Sequence, residues 1–503
     1  MSLTHDFNRV TFGLPVESFR VDAYIALEER LPVVTEFILR LLHICGRIPT
    51  SVFRDYFGFT DSEALAVVES LSRQGLLEVS DDEVQLSSFA LERFEETGGE
   101  HPRFSKVELR QDTVTLDLIS FTPLRAAGAQ LPTDNIIKLN ADDEVLGDSI
   151  ERAKSAYRQR YAEIASMRQE FREKSYGVYS VEDIESKRRT YVPVPVTFGI
   201  DADGQIKRSV DETFERIAPA QLINFVNEQV TRAIPRTLAL AGRELEEFID
   251  AFELSPLRRY VTGRRFDLTG YLADVHIARN TRHPRGVDAM FGNVYLAANR
   301  ERVVSRLRDR RSGRRRHGRL LTSLAWLAPD YPLWGRGDAF AEAVNSFSTE
   351  LQSHNSSDDL YVFAYAEPSE EADVASTLRV HGLKELHYSR PLPPEGRLMA
   401  GRLEVLLYPT AFVVALCHVP MQGSPGLWAP IGFISSLPKH LDTAHNMIRK
   451  AMAGRRYGRR ARFTQRDARP SPNSFEEACA FLNYDSSSTG VDSDVDDESD
   501  LPK

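Results

Sequence analysis

The chain has 503 residues, 42% hydrophobic and 27% charged, with a formal net charge of -10. That length is more than one hydrophobic core fills, so roughly two to four domains are expected. The negative balance excludes a uniformly basic nucleic-acid coat while leaving local patches open. Cys45, Cys417 and Cys479 form no C-x-x-C pair, which excludes a zinc ribbon or redox dithiol and suits a reducing compartment. The first residues lack the basic-then-apolar pattern of a secretory signal, and no apolar run approaches the roughly 20 residues that span a bilayer. The expectation is a cytoplasmic protein without a membrane anchor.

In chain order, residues 33–95 carry the clearest pattern. Phe37, Ile38, Leu41 and Leu42 recur at helical spacing between Val33 and Ile44, and Gly46 follows as a stop. A short helix is expected over Ser51–Tyr56, between Pro49 and Gly58. Thr60 or Asp61 suits the N-cap of a third helix, with Glu63 completing a capping box and Ala64, Leu65, Val67, Val68 and Leu71 running on to Gly75. Leu76–Val79 and Glu83–Leu86 then bracket Ser80-Asp81-Asp82 as a hairpin. Three helices followed by a hairpin is the winged-helix order, and GRIPTSVFRDYFGFTDSEALAVVESLSRQGLLEVSDDEVQLS resembles the winged helix-turn-helix domains of bacterial regulators.

Further along, Val107 and Leu109, then Val114, Leu116 and Leu118, alternate as strands about a turn at Gln111-Asp112. Residues 143–175 are expected to form one long charged helix, with Leu146, Ile150, Ala153, Tyr157, Tyr161, Ile164, Met167 and Phe171 stepping by three and four. A stripe this short fits docking on its own domain better than a dimer seam. Tyr191–Ile200 and Gln205–Val210 form a hairpin around Asp201-Ala202-Asp203-Gly204, which lacks the remaining ligands of a calcium loop. Helix covers Asp211–Leu254 with breaks at Pro219 and Pro235, and residues 255–300 are arginine-rich and irregular. From Leu320 strands alternate with helices. The expected strands are Leu320–Ala328, Leu360–Ala366, Glu385–Tyr388, Glu404–Tyr408 and Phe412–His418. The helices are Asp338–Gln352, Glu371–His381 and one that opens after Ser435-Ser436 and stops at Gly454. Beyond Arg469 the composition is that of a disordered acidic tail.

The expected fold class is thus multidomain, α/β and α+β. A winged helix occupies 1–100, a mixed helix and β-hairpin region 101–310, an α/β sheet domain 311–465 and the tail 466–503.

Charge separates these regions. From Val33 to Glu96 twelve acids face five bases, Arg40, Arg47, Arg54, Arg73 and Arg93. A surface of that sign repels phosphate, which argues for a protein contact over DNA reading by this module. Arginine concentrates instead in Arg308, Arg310, Arg311, Arg314, Arg315, Arg316 and Arg319. It does so again in Arg455, Arg456, Arg459, Arg460 and Arg462, with Tyr457 interleaved. Guanidinium forks match phosphates and aromatic rings stack on bases, so these two runs are the candidate nucleic-acid-binding residues, with DNA favoured over RNA. A third basic segment, Arg258 to Arg285, includes His276 and His283 but has no metal-ligand spacing, and reads as structural ion pairs.

No intact catalytic motif is found. G-x-S-x-G, G-x-x-x-x-G-K-[ST] and G-x-G-x-x-G are absent, and Cys417-His418 lies in an apolar strand where neighbours point to opposite faces. Asp330 and Glu367 near strand ends are weak catalytic candidates. The hairpin running into PGLWAPIGFISSLPKH and a helix resembles half of a phospholipase D superfamily domain, whose signature is His-x-Lys followed by Asp. Here no histidine has Lys at +2; His381 precedes Lys384 by three, and the corresponding hairpin offers Tyr408, Pro409, Thr410 and Phe412. The resemblance therefore implies a non-catalytic relative. No cofactor and no metal are expected.

A winged helix joined to such a domain resembles accessory components of bacterial anti-phage defence and restriction systems. The implied function is a non-catalytic subunit that binds nucleic acid and docks a protein such as an ATPase, helicase or nuclease. The alternatives are a divergent phospholipase D-like nuclease or phosphodiesterase, and a winged-helix transcriptional regulator.

Overall fold

Phe19, Val21, Ala23 and Ile25 alternate with Arg20, Asp22 and Tyr24, a period-two pattern that dictates a strand. The chain opens accordingly with a 25-residue strand, β1 (His5–Glu29), which the expected organisation did not include. The computed structural model describes residues 4–29, 32–96, 104–124, 135–141, 143–167, 175–235, 242–263, 265–277, 286–309, 324–353, 360–365, 387–392, 396–409 and 411–452. The expected helix Glu371–His381 and the acidic tail lie outside them. The chain divides into two units: residues 1–14, 129–140 and 191–503 form one, and residues 15–128 and 141–190 the other. This partition is discontinuous, unlike the linear succession of domains expected.

The second unit contains a three-helix module. Helices α1 (Val33–Cys45), α2 (Thr50–Phe57) and α3 (Asp61–Arg73) alternate with a small sheet of β2 (Arg47–Pro49), β3 (Leu77–Ser80) and β4 (Glu83–Leu86), ordered β2-β4-β3. Thr60 caps α3: its Oγ1 accepts from the Glu63 amide, and Glu63 accepts from the Thr60 amide at 2.9 Å. Asp81 and Asp82 take φ of 52° and 63°, the two left-handed positions that a two-residue hairpin needs. Ile38, Leu42, Phe53, Val68, Leu71 and Val84 belong to the module's core. Helix α4 (Ser88–Glu96) follows, its Phe94 ring stacked 4.4 Å from His43.

Next comes β5 (Phe104–Asp117), followed by β6 (Pro123–Leu124) and by β7 (Ile137–Lys138), which belongs to the first unit. β5 pairs with β1 antiparallel without interruption from Val16 opposite Asp117 to Glu29 opposite Phe104, so the turn expected at Gln111-Asp112 does not exist. Asp112 instead points inward and accepts from Tyr157 Oη at 2.5 Å, which offsets the cost of a carboxylate in mid-strand. Val114 and Leu116 share its buried face, while Val107 and Leu109 point to solvent at 45% and 61% exposure.

Over its described part, 143–167, the long helix expected over 143–175 is three short ones: α5 (Asp143–Gly147), α6 (Ser149–Gln159) and α7 (Tyr161–Met167); residues 168–174, with Phe171, lie outside the described residues. The helix breaks at Asp148 and Arg160, and Ala153, Tyr157, Tyr161 and Ile164, which step by four, four and three, all enter a core with Phe19, Val21 and Leu116. Residue 175 already begins β8 (Ser175–Ile200). Glu17, fully buried on β1, is met by Ser186 Oγ and by Arg189 Nε at 3.0 Å.

In the first unit, β8 turns through residues 201–204 into β9 (Ile206–Val210), pairing from Val196 opposite Val210 to Ile200 opposite Ile206. Asp201 accepts from the amides of Asp203 and Gln205, so this tetrad is a turn, as expected of its sequence. Helices α8 (Glu212–Ile217), α9 (Ala220–Ala233) and α10 (Gly242–Ala251) follow. The stretch expected to be irregular, 255–300, holds the short pair β10 (Val261–Thr262) and β11 (Arg265–Phe266), helix α11 (Leu268–Ile277) and strand β12 (Val287–Phe291), then enters α12 (Ala297–Asp309). Its arginines had masked this order: Arg258 pairs with Asp250, and Arg259 with Asp274 at 3.0 Å.

The remainder begins with strand and helix alternating as expected and then runs through three consecutive strands before the last helix. β13 (Leu324–Leu327), α13 (Asp338–Gln352), β14 (Leu360–Tyr365) and β15 (His387–Leu392) precede β16 (Leu403–Tyr408), β17 (Phe412–Met421), β18 (Ser424–Ser435) and α14 (Pro438–Met452). These strands and β12 form a mixed seven-stranded sheet, ordered β12-β18-β17-β16-β13-β14-β15, in which β13, β14 and β15 are parallel. Arg9 and Thr11 of β1 bind Asp338 at the start of α13, at 3.0 and 3.1 Å.

Candidate protein-docking and nucleic-acid interfaces

Helix α1 buries Ile38, Leu39 and Leu42 and still has apolar side chains to spare. Val33, Phe37 and Ile44 are 69%, 60% and 81% exposed. Phe37, read from periodicity as part of one apolar face, points away from the core. Spacings of four and seven residues place these three on one outward stripe opposite the core-facing one. Val52 and Tyr56 repeat the arrangement on α2, and Leu65 stands exposed on α3. The signal was legible as a surplus: α1 has more apolar residues than one helix face accommodates.

The module's basic side chains are largely consumed internally. Arg40 pairs with Glu36 at 2.9 Å, Arg54 with Asp55 and Asp61 at 2.7 and 2.6 Å, and Arg73 with Glu69 at 3.7 Å. The two hydrogen-bonded carboxylates hold the Arg54 guanidinium above its ordinary value. Hydrogen bonds from Thr60 hold the Glu63 carboxyl below its own, keeping the start of α3 anionic. The outer surface of α3 presents Asp61, Glu63, Leu65 and Glu69, with the exposed Arg73 and then Gln74 only at its end, an acid-rich face that is poor chemistry for reading base edges or phosphates.

Of the thirteen candidate nucleic-acid contacts only Arg308 falls among the described residues. It is held by Glu350 at 3.0 Å and Glu301 at 3.7 Å. Its neighbours behave alike: Arg300 pairs with Glu342 and Arg306 with Asp288, while Arg302 donates to Ala289 O. These arginines brace α12 against α13 and β12. Arg310, Arg311, Arg314, Arg315, Arg316, Arg319, Arg455, Arg456, Tyr457, Arg459, Arg460 and Arg462 lie outside the described residues.

The helices from which both runs emerge are placed, and they lie apart. Trp326 opposes Leu406, which opposes Val414, which opposes Ile434, so Phe433 occupies the other sheet face from Trp326. Trp326 touches Phe340 and Phe347 of α13, beside which α12 packs; Phe433 touches Phe248 and Phe252 and His440 of α14. The ends differ as well. Ser435 lies at the end where β13 starts, so α14 runs from there to the opposite end, where Gly396 packs on Ala451. Because Val287 opposes Ser435, β12 points the same way, and α12 returns towards the start of β13. α12 therefore ends at one face and end of the sheet, and α14 ends at the other face and the other end.

Inside the sheet, sequence reasoning missed a polar centre. Glu404 accepts from Trp326 Nε1 at 3.0 Å and bonds His418 Nε2 at 2.7 Å, with both Glu404 and His418 fully buried. Tyr331 stacks on Trp428 at 4.6 Å, and Arg402 lies over Trp428 while pairing with Glu244 at 3.5 Å. Trp334 packs edge-on against Trp326, so all three tryptophans of the chain gather here. Neither Glu404 nor His418 touches solvent, and the pair braces β13, β16 and β17. Cys417, on the opposite face, is buried, which pushes its thiol up to about 12 and keeps it protonated. Asp330 follows β13 as expected and pairs with Arg397 at 2.6 Å; Glu367 lies outside the described residues.

A cleft of about 620 Å³ opens between the 201–206 turn, β9, the start of α11 and the β17–β18 hairpin. Its polar groups are largely committed: Arg208 binds Thr231 Oγ1 at 2.6 Å, and Asp267 accepts from the Gly270 amide. Among the described residues no three His, Cys, Asp or Glu side chains group as a metal site, and no helix is long and apolar enough to cross a membrane. No protein-family model matches the chain, and no curated protein sequence matches it.

Proposed function

We propose that the chain is an accessory subunit that docks a protein through its three-helix module and holds nucleic acid through its arginine runs. The observation that carries this reading is the inverted surface of the module, with apolar side chains turned outward on α1, α2 and α3 while three of its five arginines, Arg40, Arg54 and Arg73, are paired with acids. Exposed apolar stripes mark interaction sites, and the acidic balance disfavours phosphate. The module's element order resembles a winged helix, here serving protein contact. The seven-stranded domain, with its sealed Glu404–His418 pair, serves as a scaffold for the two runs.

Such a subunit suits an anti-phage or restriction-like assembly in which an ATPase, helicase or nuclease partner supplies catalysis. The test is duplex DNA affinity as a function of salt for the full chain. Arg314, Arg315 and Arg316 changed to Glu, and separately Arg455, Arg456, Arg459 and Arg460 changed to Glu, should each weaken binding and flatten its salt dependence. Unchanged affinity in both variants rejects the polyanion half. Loss of binding in Arg73→Ala alone would instead assign DNA reading to the module and reject the docking half.

A further inference from the structure

We infer that the outward stripe of α1 seats a cationic amphipathic helix of a partner protein, an inference that rests on the docking role proposed for the module. Val33, Phe37 and Ile44 are among the most exposed large apolar side chains of the described residues. They lie on one line along α1 over about 16 Å, given a rise of about 1.5 Å per residue. A flat apolar line of that length matches the apolar face of a second helix, the arrangement in which anchors recur every three or four residues. The flanking residues on α1 are not obstacles: Glu36 and Arg40 neutralise each other at 2.9 Å.

Charge selects the kind of helix. The module has twelve acids against five bases, and three of those bases are held in ion pairs. Glu78, Asp81 and Asp82 at the β3–β4 hairpin and Glu92 on α4 are exposed. A segment with Lys or Arg bordering its apolar face gains from this field; an acidic segment or nucleic acid is repelled by it. A second copy of the module carries the same excess of acid and is opposed likewise, which favours a different protein over self-pairing. Leucines or other large apolar residues at the partner's contact face would fill the line from Val33 to Ile44.

The test uses the full chain and two synthetic helical peptides of about five turns, each with leucine along one face. One has lysine on the flanks and the other glutamate in the same places. Anisotropy titrations should show the lysine peptide binding the wild type, with affinity falling as salt rises. A Phe37→Ser, Ile44→Ser double variant, checked by circular dichroism to be folded, should bind it at least about tenfold more weakly, a difference of about 1.4 kcal/mol. An unaltered affinity in that variant overturns the assignment to α1. Equal binding of the glutamate peptide, lost in the variant, overturns the cationic class while leaving α1 as a docking face. Self-association by light scattering that the variant abolishes makes the occupant a second copy and overturns the hetero-partner. No binding of either peptide overturns the helix-seat inference, whereas duplex DNA binding lost in Arg73→Ala overturns the docking reading beneath it.

Discussion

The seven-stranded sheet and the three-helix module break the inside-outside rule in opposite directions. The sheet buries a glutamate, a histidine and an arginine; the module exposes Val33, Phe37, Ile44, Val52, Tyr56 and Leu65. Buried ionisable groups are tolerated only where partners satisfy them, and Glu404 has both oxygens engaged, by Trp326 and His418. Exposed apolar groups have no such internal compensation. Glu404 is therefore answered within the fold, although the buried Nδ1 of His418 has no hydrogen-bond partner among the described residues, whereas the module's apolar stripe is left open to solvent.

The largest expected effect breaks the first half of this comparison. Glu404→Ala leaves Trp326 Nε1 and His418 Nε2 unpaired in a sealed interior and should destabilise the chain by about 3–5 kcal/mol. Urea denaturation followed by tryptophan fluorescence suits the measurement, since all three tryptophans surround the site. Replacing Glu404 and His418 together by Leu should cost markedly less than the sum of the single changes, because the pair is removed as a unit. Additive costs would mean that the two side chains do not act together.

A smaller effect, about 1 kcal/mol, is expected from Thr60→Ala, which removes the cap of α3. It has a sign in pH. The Glu63 carboxyl is held below its ordinary value first by the Thr60 amide, which Thr60→Ala keeps, and then by the Thr60 hydroxyl, which it removes; the hydroxyl's contribution is full above the unfolded carboxyl value and is lost as pH falls through the folded one. The wild-type advantage over Thr60→Ala in thermal melts should shrink from about pH 7 to about pH 3. An advantage that does not change with pH would place the cap's worth in the bond the hydroxyl accepts from the Glu63 amide and not in the one it donates to the carboxylate.

Legibility in the sequence followed how local the determining forces are. The elements of the module were readable because caps, stops and the Asp81-Asp82 turn act over a few residues, and α13 was readable to its ends. β5 was misread because Val107 and Leu109 sit on odd positions while Val114 and Leu116 sit on even ones, a phase change that mimics a turn. In the structure the strand continues, and the odd positions simply face solvent. Tyr157 makes this possible by satisfying Asp112 from 45 residues away, a contact no local pattern announces. The Glu404–His418 pair was hidden for the same reason, being set by strand register. The apolar surplus of α1 was visible from the outset, but only burial tells which of its stripes is the core.

The smallest expected change is the one that most sharpens the comparison. If Phe37 and Ile44 serve a partner, the isolated chain gains nothing from them, and Phe37→Ser or Ile44→Ser should alter stability by no more than about 0.5 kcal/mol. Leu42→Ala, on the same helix but facing the module's core, should cost about 2–5 kcal/mol. Denaturant melts of the three variants read the difference directly. A large loss at Phe37 or Ile44 would show that the outward stripe is needed for folding, and its exposure would then no longer point to an absent partner. Near-neutral values, beside a costly Leu42, separate the side chains that fold this module from those left over for binding.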